Sequence, residues 1–191
     1  MPSDSLTKWK SQRSLSLEEI ENALTRIYGL KAGRRPIKSQ SLNFSYLLLL
    51  SSEFQGFCRD IHTEASLHVA RNVSSSLSKL VENLFSKHRK LDAGNPNPGS
   101  LGDDFGRFGF DFWPTMRLRT KWNENRRKAL EDMNDWGNAI AHQKFDPIKF
   151  GMQPVLYLDW IKRWRKACNE LADEIDDVLQ KQLTEITGKN A

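Results

Sequence analysis

The chain has 191 residues, a length that suits one domain with a sizeable hydrophobic core. Apolar residues make up 38% of it and charged residues 28%, with ten Phe and six Trp, which excludes a disordered chain. The longest apolar run, YLLLL at residues 46–50, is far shorter than the roughly 20 residues of a membrane span. The N-terminus is polar and has no apolar signal core, so we expect a cytoplasmic protein that contacts no membrane.

The first half of the chain is predicted to be helical. A polar N-terminal arm over residues 1–15 precedes a capping box, SLEE, in which Ser16 is the N-cap of a helix to about Leu30. Apolar residues recur every three or four positions over residues 42–70 and again over 76–91, which predicts two more helices.

The second half contains one predicted loop and two more helices. Residues 92–114 are rich in Gly and Pro, which excludes a regular helix, although their five aromatic residues predict that this loop packs onto the core. A fourth helix is predicted over residues 123–143 and a last one over 159–186. The last helix has apolar residues alternately three and four positions apart, typical of a bundle or coiled-coil seam: Ile161, Trp164, Cys168, Leu171, Ile175 and Val178.

These patterns predict an all-α fold, a helical bundle of about five helices with one long irregular loop, in a single domain over residues 16–187. Cys58 and Cys168 fall on apolar helix sides, which indicates reduced thiols in the core. No Cys/His spacing typical of zinc and no glycine-rich phosphate loop is present in the sequence. We therefore expect neither a metal nor a cofactor.

Much of the net charge of +5 is concentrated in residues 115–128, TMRLRTKWNENRRK, which hold six cationic side chains against one Glu. A basic segment that also carries a Trp favours a polyanionic partner, with the indole as a base-stacking surface. The alternative interpretation is a solvated helix face. With one lysine from further along the chain, the candidate nucleic-acid-binding residues are Arg117, Arg119, Lys121, Trp122, Arg126, Arg127 and Lys144.

A polar stripe runs along the fourth helix. At about 100° per residue, Glu131, Asp135, Asn138 and His142 fall on one side of it. An imidazole that gains and loses a proton near neutral pH is a natural general acid or base, and an adjacent amide can orient it or contact a phosphate. The alternative is that His142 only caps the C-terminus of the helix. The pattern alone leaves both interpretations open.

Two segments carry a resemblance to a known family. SYLLLLSSEFQGFCRDIHTEA (residues 45–65) lies on the second predicted helix, and DMNDWGNAIAHQKF (residues 132–145) lies on the fourth, before the long terminal helix. This arrangement resembles the HEPN superfamily, and within it the RiboL-PSP-HEPN branch of bacterial defence and toxin–antitoxin proteins. The resemblance covers about residues 40–185.

The match to the HEPN pattern can be followed residue by residue. In the family, the apolar run of the second helix is followed by a Glu and an aromatic residue, matched here by Glu53 and Phe54. The family motif, Arg-Asn-x-x-Ala-His, is matched by Asn138, Ala141 and His142. The resemblance thus makes His142, Asn138 and Glu53 the candidate catalytic residues.

The resemblance also implies a function. Active HEPN proteins are RNases that need no metal and bring Arg and His of two subunits together at a dimer interface, so RNA and a second copy of the chain are the implied partners. A cognate protein from the same operon is a further implied partner. This sequence departs from the motif because Gly137 stands where the family has Arg. Glycine cannot stabilise charge on a phosphorane, and losing such a contact commonly costs about 10²–10³ in rate.

Three hypotheses follow. The first is an RNA-targeting HEPN protein of a defence or toxin–antitoxin system, acting as a metal-independent endoribonuclease with His142 as general acid/base. The second is a catalytically inactive HEPN module that binds RNA or regulates a partner protein, because Gly137 replaces the motif Arg. The third is a helical scaffold whose terminal seam drives dimerisation. The sequence leaves the question of catalysis open.

Overall fold

The computed structural model describes residues 1–28 and 40–189, and within these ranges it contains helices and no strand. The all-α class is confirmed. A π-helical segment, Trp9–Arg13, joins the first two helices, and a short 3-10 turn, Lys90–Asp92, follows the fourth. The α-helices are α1 (Asp4–Lys8), α2 (Ser14–Tyr28), α3 (Gln40–Arg71), α4 (Ser75–Ser86), α5 (Pro98–Gly106), α6 (Phe112–Arg119), α7 (Trp122–Ala141), α8 (Pro147–Phe150) and α9 (Leu158–Thr187).

The expected number of about five helices is too low. The five longest helices, α2, α3, α4, α7 and α9, are the ones that hydrophobic periodicity predicted. The short helices α1, α5, α6 and α8 were missed because four to nine residues give too few turns for a periodic signal. The predicted end of α2 near Leu30 lies outside the described residues. None of the helices in the described ranges is long and apolar enough to cross a membrane.

The core forms around α3, whose YLLLL run places Tyr46, Leu47 and Leu50 in fully buried positions. α4, α7 and α9 all pack against this helix, and α7 and α9 also pack against each other. Every residue of the predicted α9 seam is buried. Because these side chains are buried within the chain itself, the seam is not available as a coiled-coil surface for a second copy.

The N-terminal segment is packed onto the bundle. Residues 1–15, interpreted above as a polar arm, contain α1 and the π-helical segment, and Leu6 and Trp9 are buried. The Trp9 ring lies against Phe54 and Phe57 of α3, with ring centroids 5.6 and 5.7 Å away. Ser16 does not begin a helix, contrary to the capping-box prediction, because the π-helical segment continues into α2 upstream of it.

The prediction of one irregular loop over residues 92–114 is wrong. α5 lies within this stretch, and α6 begins in it at Phe112. Pro98 was read as a helix breaker, but it occupies the first turn of α5, where proline is favoured because no intrahelical N–H bond is needed. Asn97 caps this helix by accepting the N–H of Ser100 at 2.9 Å. The expected packing of the aromatic residues is confirmed, with Phe105 and others in the core.

Both cysteines are buried free thiols, as expected. Burial raises the pKa of Cys168, and burial is also the main cause of the raised pKa of Cys58. A buried thiol with a raised pKa is a poor nucleophile. Neither thiol is therefore a candidate nucleophile in the folded chain.

His62 is buried in α3 and bonded to the backbone of α5. Its Nε2 lies 3.1 Å from the carbonyl oxygen of Asp104, which makes Nε2 the protonated donor. Burial, and then the positive charge of Arg89, lowers the pKa of His62 to about 4. Arg107 lowers this pKa too, whereas Asp104 opposes the shift.

This shift predicts a loss of stability in mild acid. The pKa of His62 is lower in the native state than the usual 6.5, so between these values the unfolded chain binds a proton that the native chain does not. The stability that comes from keeping His62 neutral is fully present above pH 6.5 and is lost as the pH falls toward 4. We expect the free energy of unfolding to fall by about 2 kcal/mol between pH 7 and pH 5.

Urea unfolding at the two pH values measures this change, and His62→Gln should remove most of it. His68→Gln is the matched control, and it should keep the wild-type pH dependence. If the free energy of unfolding fell equally in His62→Gln and in the wild type between pH 7 and pH 5, the pH dependence would come from other groups.

Candidate functional site

The polar stripe predicted for the fourth helix lies on α7. Glu131, Asn138 and His142 are exposed, and Asp135 is half-buried and forms an ion pair with Lys149 of α8. The adjoining apolar stripe is buried against the core, with Leu130, Met133, Gly137 and Ile140 as its members. α7 thus turns its motif residues Asn138 and His142 toward solvent.

His142 is the C-cap residue of α7, and its imidazole is exposed. Its backbone N–H donates to Asn138 O at 3.0 Å, but over residues 1–28 and 40–189 its side chain makes no hydrogen bond. The side chain of Gln143 does the capping instead, because its Nε2 donates to Ile140 O at 2.8 Å. The imidazole of His142 is therefore accessible to a ligand.

Asn138 lies one turn before His142 and is held by the segment that precedes α5. Its Oδ1 accepts a hydrogen bond of 2.8 Å from Asn95 Nδ2. One turn further back, the buried Asn134 donates to Pro96 O at 3.2 Å. These bonds fix the segment along α7 and leave the Asn138 amide N–H groups as donors that face solvent.

Gly137 is buried where α7 meets α3 and the segment before α5. A Cβ built at this position would lie 3.8 Å from Asn95 Nδ2 and 4.0 Å from Ser51 Oγ, which are ordinary contact distances. The backbone therefore does not require glycine here. A side chain at position 137 would point toward the junction between α3 and α7.

Two glycines inside helices give a matched prediction. Gly137→Ala should stabilise the fold by about 0.5–1 kcal/mol, because alanine favours a helix and its Cβ fits. Gly56→Ala should destabilise it by about 1–2 kcal/mol, because the new Cβ would lie 2.7 Å from Arg13 Cζ and displace that guanidinium from Glu53 and Asp60. Urea unfolding of both variants tests this, and shifts of the same sign would contradict it.

Glu53 is not brought to His142. The carboxylate accepts a 2.6 Å hydrogen bond from Arg13 Nη1, on the side of α3 that faces the N-terminal helices. Ser51, which faces Gly137 of α7, lies two residues earlier and so about 200° around the helix. A carboxylate on the far side of α3 cannot orient the imidazole within one chain.

The basic segment is partly neutralised by acidic residues. Arg119 forms ion pairs of 2.6 and 2.7 Å with two α9 carboxylates, Glu174 and Asp177. Arg126 binds Glu170 of α9 at 2.8 Å, and Arg127 binds Glu124 at 3.2 Å. These guanidinium groups attach α6 and α7 to α9 or pair within α7.

The other candidate nucleic-acid-binding residues are exposed. Arg117, Lys121 and Trp122 lie at the junction of α6 and α7, where Lys121 Nζ is 5.8 Å from the centre of the Trp122 ring. Lys144 is also exposed and lies two residues beyond His142. The sequence-predicted site thus divides into a small group at the end of α7 and a separate exposed patch at its start.

A groove between α7, α8 and the start of α9 was not predicted from the sequence. This groove has a volume of about 520 Å³, and we refer to it as the aromatic groove. Trp160 and Trp164, one turn apart on α9, carried the only sequence signal, and Trp164 had been assigned to the seam. The side chains that define the aromatic groove are Trp136, Phe150, Trp160, Trp164, Lys128 and Arg163.

The described residues contain no cluster of His, Cys, Asp and Glu that would hold a metal ion. The RiboL-PSP-HEPN family model matches the chain over residues 11–181. No curated protein and no solved structure matches the chain. The family match covers the motif residues on α7, the whole of α3 and nearly all of α9. The chain belongs to the RiboL-PSP-HEPN family.

Proposed function

We propose that this HEPN module targets RNA in a bacterial defence or toxin–antitoxin system and cleaves it without a metal ion, using His142 as general acid/base. The observation that carries the proposal is the exposed imidazole at the end of α7, which has no hydrogen-bond partner in the described part of the chain. A histidine that served only as a helix cap would donate to the last carbonyl groups, and Gln143 does that here.

The chemistry follows from the groups around His142. The neutral imidazole takes the proton of a ribose 2′-OH, and the 2′ oxygen bonds to phosphorus as the bond from phosphorus to the 5′ oxygen of the next nucleotide breaks. The leaving 5′ oxygen then takes a proton from the imidazolium or from water. The N–H groups of Asn138 face solvent one turn away and are donors for a phosphate oxygen. The products are a 2′,3′-cyclic phosphate and a 5′-OH end.

A cation is still needed to stabilise the charge on the phosphorane. Gly137 supplies none, and Arg126 and Arg127 are held by carboxylates. Lys144 is the exposed cation nearest to His142 in sequence, so we assign it this role. A lysine is a point charge without the planar pair of donors of an arginine, and the reaction should therefore be slow. A homodimer, in which the second copy approaches this end of α7, remains part of the proposal.

The main alternative is a HEPN module that binds RNA, or regulates a partner protein from the same operon, without cleavage. The absence of the motif Arg at Gly137 favours it. The third hypothesis, a dimerisation scaffold, loses its main support because the α9 seam is buried within the chain.

Incubation of the wild-type protein with total RNA in the presence of a chelator separates the first two functions. Cleavage that leaves 2′,3′-cyclic phosphate ends is the expected result. RNA binding without cleavage would favour the alternative, and Gly137→Arg would then show whether the motif Arg restores activity. Binding that does not weaken with added salt would argue against RNA as the ligand.

A further inference from the structure

The aromatic groove combines stacking surfaces with a rim open to solvent. The buried Trp136 ring lines it, with ring centroids 4.8 Å from Phe150 and 6.1 Å from Trp160. Trp160 is 36% exposed, although tryptophan is a residue that folding normally covers. An exposed indole beside an open groove is a surface on which a planar, apolar ring can stack.

The cationic side chains that line the aromatic groove differ in whether they already have a carboxylate partner. Lys149 is paired with Asp135, and Lys128 lies 3.8 Å from Asp132, so these lysines are already partnered. Arg163 is exposed, and no carboxylate of residues 1–28 or 40–189 forms an ion pair with it. It is the cation of this groove that is left to bind an external anion.

A nucleotide supplies both a planar ring and an anion, the two groups that the exposed Trp160 ring and Arg163 can bind. We propose that the aromatic groove binds one base of single-stranded RNA, stacked on Trp160, with an adjoining phosphate on Arg163. Single-stranded RNA is the form that fits, because its bases are free to leave a stack and to insert between aromatic side chains. The inference rests on the proposed function only in taking the ligand to be RNA.

The position of the groove relative to His142 is consistent with one strand contacting both. Asp135 lines the groove and precedes His142 by seven residues on α7, which corresponds to about 10 Å along the helix axis. About three stacked nucleotides, at roughly 3.4 Å each, cover that distance. A strand that leaves the groove at Asp135 and follows α7 would therefore reach the end of the helix within a few nucleotides.

The test measures binding of a fluorescently labelled single-stranded RNA of twelve nucleotides by anisotropy, in chelator, with the full chain. Trp160→Ala and Arg163→Glu should each weaken binding by roughly ten- to a hundredfold. Trp160→Phe keeps an aromatic ring and should stay within about threefold of wild type. Arg71→Glu makes the same charge change at an exposed arginine at the end of α3, and it should have a small effect.

Trp122 in the basic segment is a second exposed indole, and it is the alternative site at which an RNA base could stack. If Trp122→Ala weakens binding more than Trp160→Ala does, the base does not bind in the aromatic groove. The same conclusion follows if Arg163→Glu and Arg71→Glu weaken binding equally. If Trp160→Ala fails to fold, Arg163→Glu still tests the proposal. Arg163 is an exposed side chain, so its replacement should leave the fold intact.

Binding and cleavage are measured separately, so the two proposals fail in different ways. Suppose that Trp160→Ala and Arg163→Glu lose RNA binding and the wild type does not cleave RNA. This result would support RNA binding in the aromatic groove and contradict the proposal that the protein is a nuclease. Suppose instead that the wild type cleaves RNA, and that the groove variants bind and cleave RNA as well as the wild type does. This result would support the nuclease proposal and overturn RNA binding in the aromatic groove.

Discussion

Replacing His142 by alanine is expected to lower the rate of RNA cleavage by about 10²–10⁴-fold, the usual contribution of a positioned general acid or base. The imidazole is exposed and makes no hydrogen bond within the described ranges, so its removal should leave the fold unchanged. RNA affinity should change little, because a proton-transfer group acts mainly in the transition state. Initial rates with a labelled RNA in chelator, together with the anisotropy assay, measure both quantities.

The control for this prediction is His88→Asn, which removes another exposed imidazole. Asparagine is chosen because His88 has a φ of 56°, a left-handed conformation that asparagine tolerates better than alanine. His88→Asn should cleave RNA at the wild-type rate. Equal rates for His142→Ala and the wild type would leave His142 as a solvent-exposed helix end and would remove the main argument for catalysis by this residue.

Replacing Asp104 by alanine is expected to lower the free energy of unfolding by about 3–5 kcal/mol, as is typical when one partner of a buried charged pair is removed. Asp104 has no exposed surface. Its carboxylate accepts the N–H groups of Lys90 and Leu91 at 3.1 and 2.8 Å and forms a 3.2 Å ion pair with Arg107. Without it, two backbone donors and one guanidinium lose a buried acceptor.

The effect of Asp104→Ala should be large because several elements meet at this carboxylate. Arg107 also donates to the carbonyl oxygens of Phe85, Lys87 and His88, at the end of α4, each at 2.9 Å. Asp104 therefore links α5 directly to the 3-10 turn. Through Arg107 it also links α5 to the end of α4. A denaturant titration monitored by circular dichroism gives the change in stability.

Asp103→Ala is the matched control, since this neighbouring carboxylate is exposed and, among residues 1–28 and 40–189, forms an ion pair only with Lys90. Its removal should cost less than about 1 kcal/mol. Asp104→Asn keeps the shape of the side chain but loses the charge, and it should fall between the two. A loss in Asp104→Ala as small as that in Asp103→Ala would mean that the buried carboxylate does not hold these elements together.

Hydrophobic spacing along the chain was enough to predict which long helices form and which of their sides are apolar. α3, α7 and α9 begin and end within about two residues of their predicted bounds, because a buried helix face repeats every three to four positions. The same periodicity placed both cysteines in the core and put Asn138 and His142 on the solvent side of α7. The HEPN resemblance, which rested on these motif residues, is confirmed by the family match.

Which helix faces meet could be seen only after the helices were packed together. Glu53 carries the family pattern in sequence, yet it lies on the side of α3 that binds Arg13, away from α7. Arg119 and Arg126, two of the six cationic residues that had suggested a binding surface, pair with acidic residues of α9 that lie 44 residues or more away in sequence. The aromatic groove likewise required α7, α8 and α9 to converge. Local spacing fixes the direction of a side chain relative to its own helix, whereas its partner depends on how the helices pack.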